Sequence, residues 1–138
     1  MKAPRSHFSV NNCENVVFEN ININTVSDNE KLDAHNTDAF DVSQSADIII
    51  RSSTIVNGDD CIAVNAGKHF TSIYVRIAKL IVFAFLGVRN LTVTGLDCTG
   101  SHGFSVGSLG KKGSSKTEIV SDLKFISNAC HDCQNGVR

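Results

Sequence analysis

The residues of this chain best suited to chemistry are carboxylates. Asp59 and Asp60 stand side by side in "VNGDDCIAVNAG" (Val56 to Gly67), between a polar turn and an alternating apolar run. Repulsion and desolvation both oppose ionising two carboxylates at the mouth of a buried strand. That opposition is useful where one carboxyl must keep a proton while another takes one, the requirement of paired acid/base catalysis. An isolated Asp-Asp pair is an ordinary polar turn closed by Asx hydrogen bonds. A third carboxylate one structural repeat away changes that reading.

The elements that position these residues supply it. "TDAFDV" from Thr37, "DDCIAV" from Asp59 and "SHGFSV" from Ser101 each set a polar residue before apolar ones at two-residue spacing: Asp38, Phe40, Val42; Asp60, Ile62, Val64; His102, Phe104, Val106. Asp38 and Asp60 are 22 residues apart, about one coil of a parallel β-helix whose strands stack about 4.8 Å apart. Asp38 is therefore expected over Asp60, with His102 one coil further along the same column. A second rhythm runs through "ENVVFENINI", "ADIIIRSSTI", "RNLTVTGLDC" and "SDLKFISNAC", anchored on Asn15, Asp47, Asn90 and Asp122 at intervals of 32, 43 and 32 residues. Val, Ile and Thr fill these runs, Asn, Asp, Gly and Ser separate them, and helical periodicity is weak. The expected fold is all-β: a partial parallel β-helix of about four coils, occupying residues 1–138.

From Asp60 to His102 is 42 residues, twice the expected step. Removing about 69–89, His69 to Arg89, restores the rhythm and mends the irregular 43. This apolar, aromatic segment is read as an insertion arising from a retained intron, since Gly67-Lys68 can be encoded by a splice-donor-like GGTAAG; a genuine loop or extra helix is the alternative. It is no membrane span: Arg76 and Lys79 interrupt it, and its uncharged stretch, Leu80 to Val88, is only nine residues.

A net charge of -1 gives no basis for nucleic-acid binding, and Lys111, Lys112 and Lys116 sit among Gly and Ser as a solvated loop. Five cysteines are more than a cytosolic protein of this size needs, and their odd number leaves one unpaired within the chain. Cys130 and Cys133 form a CxxC with no second pair at metal spacing, so no metal is expected; the partners of Cys13, Cys130 and Cys133 stay open. "MKAPRSHFSV" lacks the apolar core of a signal peptide, so the protein is either intracellular or begins elsewhere. Of Asn20, Asn57 and Asn90, only Asn90-Leu-Thr fits the N-x-S/T acceptor pattern.

"NTDAFDV" (Asn36 to Val42), "GDDC" (Gly58 to Cys61), "GSHGFSVGSLG" (Gly100 to Gly110) and the terminal "NGVR" (Asn135 to Arg138) resemble, in order, the four signature blocks of the polygalacturonases. These are pectin-degrading glycoside hydrolases of right-handed parallel β-helix fold, and the third block is closer to the exo-acting branch than to the endo-acting one. The resemblance implies inverting hydrolysis of α-1,4-galacturonosidic links, in which one carboxylic acid protonates the leaving oxygen and a carboxylate base activates water. By the same resemblance Asp59 is the general acid, Asp38 and Asp60 hold and deprotonate the water, and His102 helps maintain the acid's protonation. Arg138 matches the first residue of an Arg-Ile-Lys block that grips the galacturonate carboxylate. The chain stops there, so the Lys and a later Tyr are absent, and a truncated, inactive fragment is expected. The resemblance also implies a Cys61–Cys98 disulfide, secretion, a polysaccharide substrate, a monomer, no membrane and no cofactor. A rhamnogalacturonan or xylogalacturonan hydrolase, or a non-catalytic polysaccharide-binding β-helix, is the alternative function.

Overall fold

The computed structural model describes residues 6–27, 34–66, 87–110 and 118–138. All regular structure among them is β-strand. The strands are β1 (Phe8–Asn11), β2 (Glu14–Glu19), β3 (Asn22–Asn24), β4 (Phe40–Ser43), β5 (Ala46–Val56), β6 (Asp60–Asn65), β7 (Gly87–Thr99), β8 (Gly103–Val106), β9 (Ile119–Ile126) and β10 (Ala129–His131). Every pairing is parallel. One sheet runs β1-β4-β6-β8; in the other, β5 and β7 are flanked by β2 and β3 on one side and by β9 and β10 on the other. The chain visits the two sheets alternately, so each pass adds one strand to the first and one or two to the second.

The anchors read from sequence are corners. Asn15, Asp47, Asn90 and Asp122 all have positive φ, between 52° and 57°. Pairing in the second sheet skips them, passing from Ala46–Arg89 to Ile48–Leu91. Asn20, Ser52, Gly95 and Ser127 form a second left-handed row with φ of 50° to 64°. Short polar side chains tolerate this region, and β-branched residues do not, which explains why Asn and Asp punctuate runs of Val and Ile.

Alternation on these strands fills the space between the sheets. In the first sheet the inward row is Phe8, Phe40, Ile62, Phe104, followed by Val10, Val42, Val64, Val106. The second contributes Val16, Ile48, Leu91, Leu123 and Phe18, Ile50, Val93, Phe125. Phe40, Ile48, Ile50, Ile62, Leu91 and Val93 are fully buried. Each contributes about 1.5–3 kcal/mol by leaving water.

Of the expected insertion at about 69–89, residues 69–86 lie outside the described residues. Gly87, Val88 and Arg89 open β7 and pair with Ile119, Val120 and Ser121, so the regular coil has resumed by Gly87.

Candidate active site

The chemistry-bearing residues gather where the chain enters the first sheet. Asp38 precedes β4, Asp59 closes the turn after β5, Asp60 is the first residue of β6, and His102 precedes β8. Backbone bonds tie these entrances together: His7 N donates to Asp38 O, Ala39 N to Asp60 O, and His102 N to Asp59 O, all at 2.9 Å. Buried Asn57 shapes the turn by donating through Nδ2 to Thr37 O (2.9 Å) and Asp60 O (3.0 Å). Gly58 is required beside it, since a Cβ there would sit 2.8 Å from the Ala34 carbonyl oxygen of the preceding coil.

A register break decides which side chains reach the surface. Counting back from inward Ile62, strict alternation turns Cys61 outward and Asp60 into the core. The pairing instead passes from Asp60–Gly103 directly to Ile62–Phe104, leaving Cys61 as the extra residue of a β-bulge. Cys61 is buried and disulfide-bonded to Cys98 across the core. Asp60 is released toward Ser105, on the outward row with Asp41 and Ala63. The same break corrects the column expected from sequence: His102 falls beside Asp59, one position away from the row of Asp38 and Asp60.

Asp59 is held from three directions. Oδ2 accepts from Asn36 N at 2.9 Å, and Oδ1 accepts from Asp60 N at 2.9 Å. His102 Nδ1 lies 3.0 Å from the same Oδ1. Asp60 is 7% exposed. Its Oδ1 accepts from the Ser105 hydroxyl at 2.6 Å, and Arg138 Nη2 lies 3.2 Å from Oδ1 and 3.4 Å from Oδ2. Arg138 Nε donates to Ser105 Oγ at 2.7 Å, closing an Asp60–Ser105–Arg138 triangle. Arg138 reaches it because Val137 bridges to Phe104 and Arg138 N donates to Phe104 O. Gly103 permits this approach: its φ is +104°, and a Cβ would lie 2.1 Å from the Asn135 carbonyl oxygen.

Burial, a side-chain hydrogen bond to Asp41, and the charges of Asp41, Asp59 and Asp60 push the Asp38 carboxyl from 3.8 up to about 7. Asp38 thus senses three carboxylates, two of them from the next coil. The sign of the linked pH effect follows. Below 3.8 folded and unfolded chains both hold this proton; from 3.8 to about 7 only the folded chain does, so stability from this group falls as pH rises and levels off above about 7. Thermal melts across this window are expected to show Asp38→Asn flattening that decline. An unchanged slope would remove Asp38 as its source.

Ser105 and Asp41 are functional candidates that sequence reading did not single out. Both lay inside quoted motifs, but a serine or a second aspartate on an outward strand position carries no signal without the cross-coil register. Asp59, Asp60 and His102 also bring potential ligand atoms within 4.8 Å of one another. Positive charge at this place is already supplied by the Arg138 guanidinium. The two cysteines of the CxxC form a disulfide, Cys130–Cys133, and Cys13 is a free, half-buried thiol.

The family profile described as "Glycosyl hydrolases family 28" matches residues 1–138. Exopolygalacturonase rpg13 of Rhizopus delemar is 37% identical over 138 residues, all of this chain and 32% of that protein. Exopolygalacturonase rpg16 of the same fungus is 36% identical over 138 residues, again all of this chain and 30% of that protein. Endopolygalacturonase A of Aspergillus niger is 34% identical over 125 residues, 91% of this chain and 27% of that protein. The chain thus spans about a third of the length of these curated relatives. No solved structure matches it.

Proposed function

The chain belongs to glycosyl hydrolase family 28, and from that premise we propose that it forms the acid/base core of an enzyme hydrolysing α-1,4-galacturonosidic linkages of pectin. The observation that carries this reading is the convergence of Asp38, Asp59 and Asp60 from neighbouring coils, with His102 on Asp59 and Arg138 on Asp60. In the proposed reaction Asp59 protonates the leaving glycosidic oxygen while Asp38 and Asp60 hold a water on the opposite face and take its proton. His102, with Nδ1 3.0 Å from Asp59 Oδ1, supports its protonation, and the half-exposed Arg138 guanidinium receives the galacturonate carboxylate. The elevated Asp38 supports a second assignment, in which Asp38 stores the cluster's proton before substrate arrives.

The exo-acting branch is favoured because the two Rhizopus relatives carry that name. The proposed architecture is a right-handed parallel β-helix of about four coils, monomeric and extracellular. The disulfides Cys61–Cys98 and Cys130–Cys133 support export, since such bonds persist in oxidising compartments. Holding a third of its relatives' length, the isolated chain is proposed to be inactive. Chain between Asn65 and Gly87 is proposed to be additional to the coil repeat: Phe40 pairs with Ile62, 22 residues on, whereas Ile62 pairs with Phe104, 42 residues on.

A fusion in which this chain, without residues 67–86, replaces the matching stretch of rpg13 tests the function. Reducing ends are expected to appear faster from polygalacturonate than from rhamnogalacturonan or xylogalacturonan. A folded fusion that cuts none of the three polymers, or prefers one of the other two, overturns the reading. In this fusion Ser105→Ala is expected to lower kcat/KM about tenfold, by removing one hydrogen bond to a charged group on each side of the triangle. Full activity in that variant would show that Asp60 and Arg138 position each other unaided.

A further inference from the structure

The outer face of the second sheet carries a feature that the hydrolase reading does not use. Asn15, Asp47 and Asn90 of the corner row, with Val17, Ile49 and Thr92 beside them, line a shallow groove of about 270 Å³. Val17 is 51% exposed, a large apolar side chain left in solvent between polar neighbours. Asn90 and Thr92 are the first and third residues of the chain's N-x-S/T tripeptide, and both border this groove. The Asn90 amide points along the groove toward the preceding coil, where Nδ2 donates to Asp47 Oδ1 at 2.6 Å. One amide hydrogen makes that bond, and the second is available for substitution.

We propose that Asn90 carries an N-linked glycan whose first sugars lie in this groove, over Ile49 and Val17. The sequence pattern supplies the acceptor, and the structure supplies a direction and a surface. Pyranose rings present an apolar face of C–H groups that suits the Val17 and Ile49 side chains, while ring hydroxyls and the N-acetyl group reach the Asn15 and Asp47 side chains at the rim. In the transfer, Asn90 Nδ2 bonds to C1 of the first sugar of a lipid-diphosphate-linked oligosaccharide. The C1–O bond to diphosphate breaks, the lipid diphosphate leaves with the electron pair, and one amide proton is lost. The remaining N–H keeps its bond to Asp47. Two disulfides in the fold are independent evidence of the oxidising compartment where such transfer occurs. This site lies on the other sheet from the carboxylates and does not depend on the proposed catalytic activity.

The test is expression of the 138-residue chain behind a secretion leader in a eukaryotic host, with both secreted and retained pools analysed so that poor export does not hide the result. Intact mass is expected to show a glycan-sized increment that peptide-N-glycosidase removes. Asn90→Gln and Thr92→Ala are each expected to abolish it, and Thr92→Ser to retain it. An unmodified chain in both pools, or an increment that survives Asn90→Gln, overturns the site. Nuclear Overhauser contacts from the first sugar to the Val17 and Ile49 methyls are expected in the glycosylated chain. Their absence would overturn groove occupancy even where the increment is present.

Discussion

Replacing Asp60 with asparagine is expected to lower kcat of the rpg13 fusion on polygalacturonate by about 10²–10⁴-fold, the usual worth of a positioned acid or base. The substitution is nearly isosteric. The amide of the Asp60→Asn variant would still offer an oxygen to the Ser105 hydroxyl and to Arg138 Nη2, the two donors that Asp60 Oδ1 accepts at 2.6 and 3.2 Å. What disappears is the negative charge and the ability to take a proton from water. Two readouts separate this from simple misfolding. Far-UV circular dichroism should be unchanged, because the bulge and the Cys61–Cys98 bond that set the position remain. The Asp38 carboxyl should titrate below its present value of about 7, because one of the charges holding it up is gone. Activity within a fewfold of the parent would remove Asp60 from the mechanism.

The largest effect on stability is expected at Phe40. Its ring is fully buried, stacked on Phe8 at a centroid distance of 4.9 Å and set edge-on to Phe18 at 5.3 Å. It thus joins three strands of two sheets, on the coil that also carries Asp38 and Asp41. Truncation to alanine deletes a phenyl group that stacked backbones on both sides cannot collapse to refill, so about 3–5 kcal/mol should be lost. Urea denaturation should show the midpoint falling by that equivalent with little change in slope. Phe40→Leu, which keeps most of the volume, should recover more than half. A loss below about 1 kcal/mol in the alanine variant would contradict the packing described here.

Much of this molecule was legible because the solenoid repeats local rules. The anchors Asn15, Asp47, Asn90 and Asp122 could be read as turns from residue type alone, and they are the left-handed corners that the strands need. The rows headed by Phe40, Ile62 and Phe104 followed from two-residue alternation. The one-position displacement of His102 could not be read that way. It comes from the bulge at Cys61, which exists because that side chain reaches inward to Cys98, a contact fixed by tertiary structure. Asp41 was missed for a related reason: its hydrogen bond to Asp38 depends on how the chain enters β4, which periodicity does not describe. The Cys130–Cys133 bond was left open because CxxC spacing is shared by disulfides and metal sites; in the structure it joins Cys130 of β10 to Cys133 just beyond the strand.

The central claim, that carboxylates from consecutive coils act together on a glycosidic bond, is tested most directly by the anomeric form of the first product. Proton NMR of the rpg13 fusion acting on polygalacturonate, recorded before mutarotation, should show the new reducing end in the β configuration, inverted from the α linkage. An α product appearing first would mean a carboxylate attacking the sugar directly, and the water-holding arrangement assigned to Asp38 and Asp60 would be wrong.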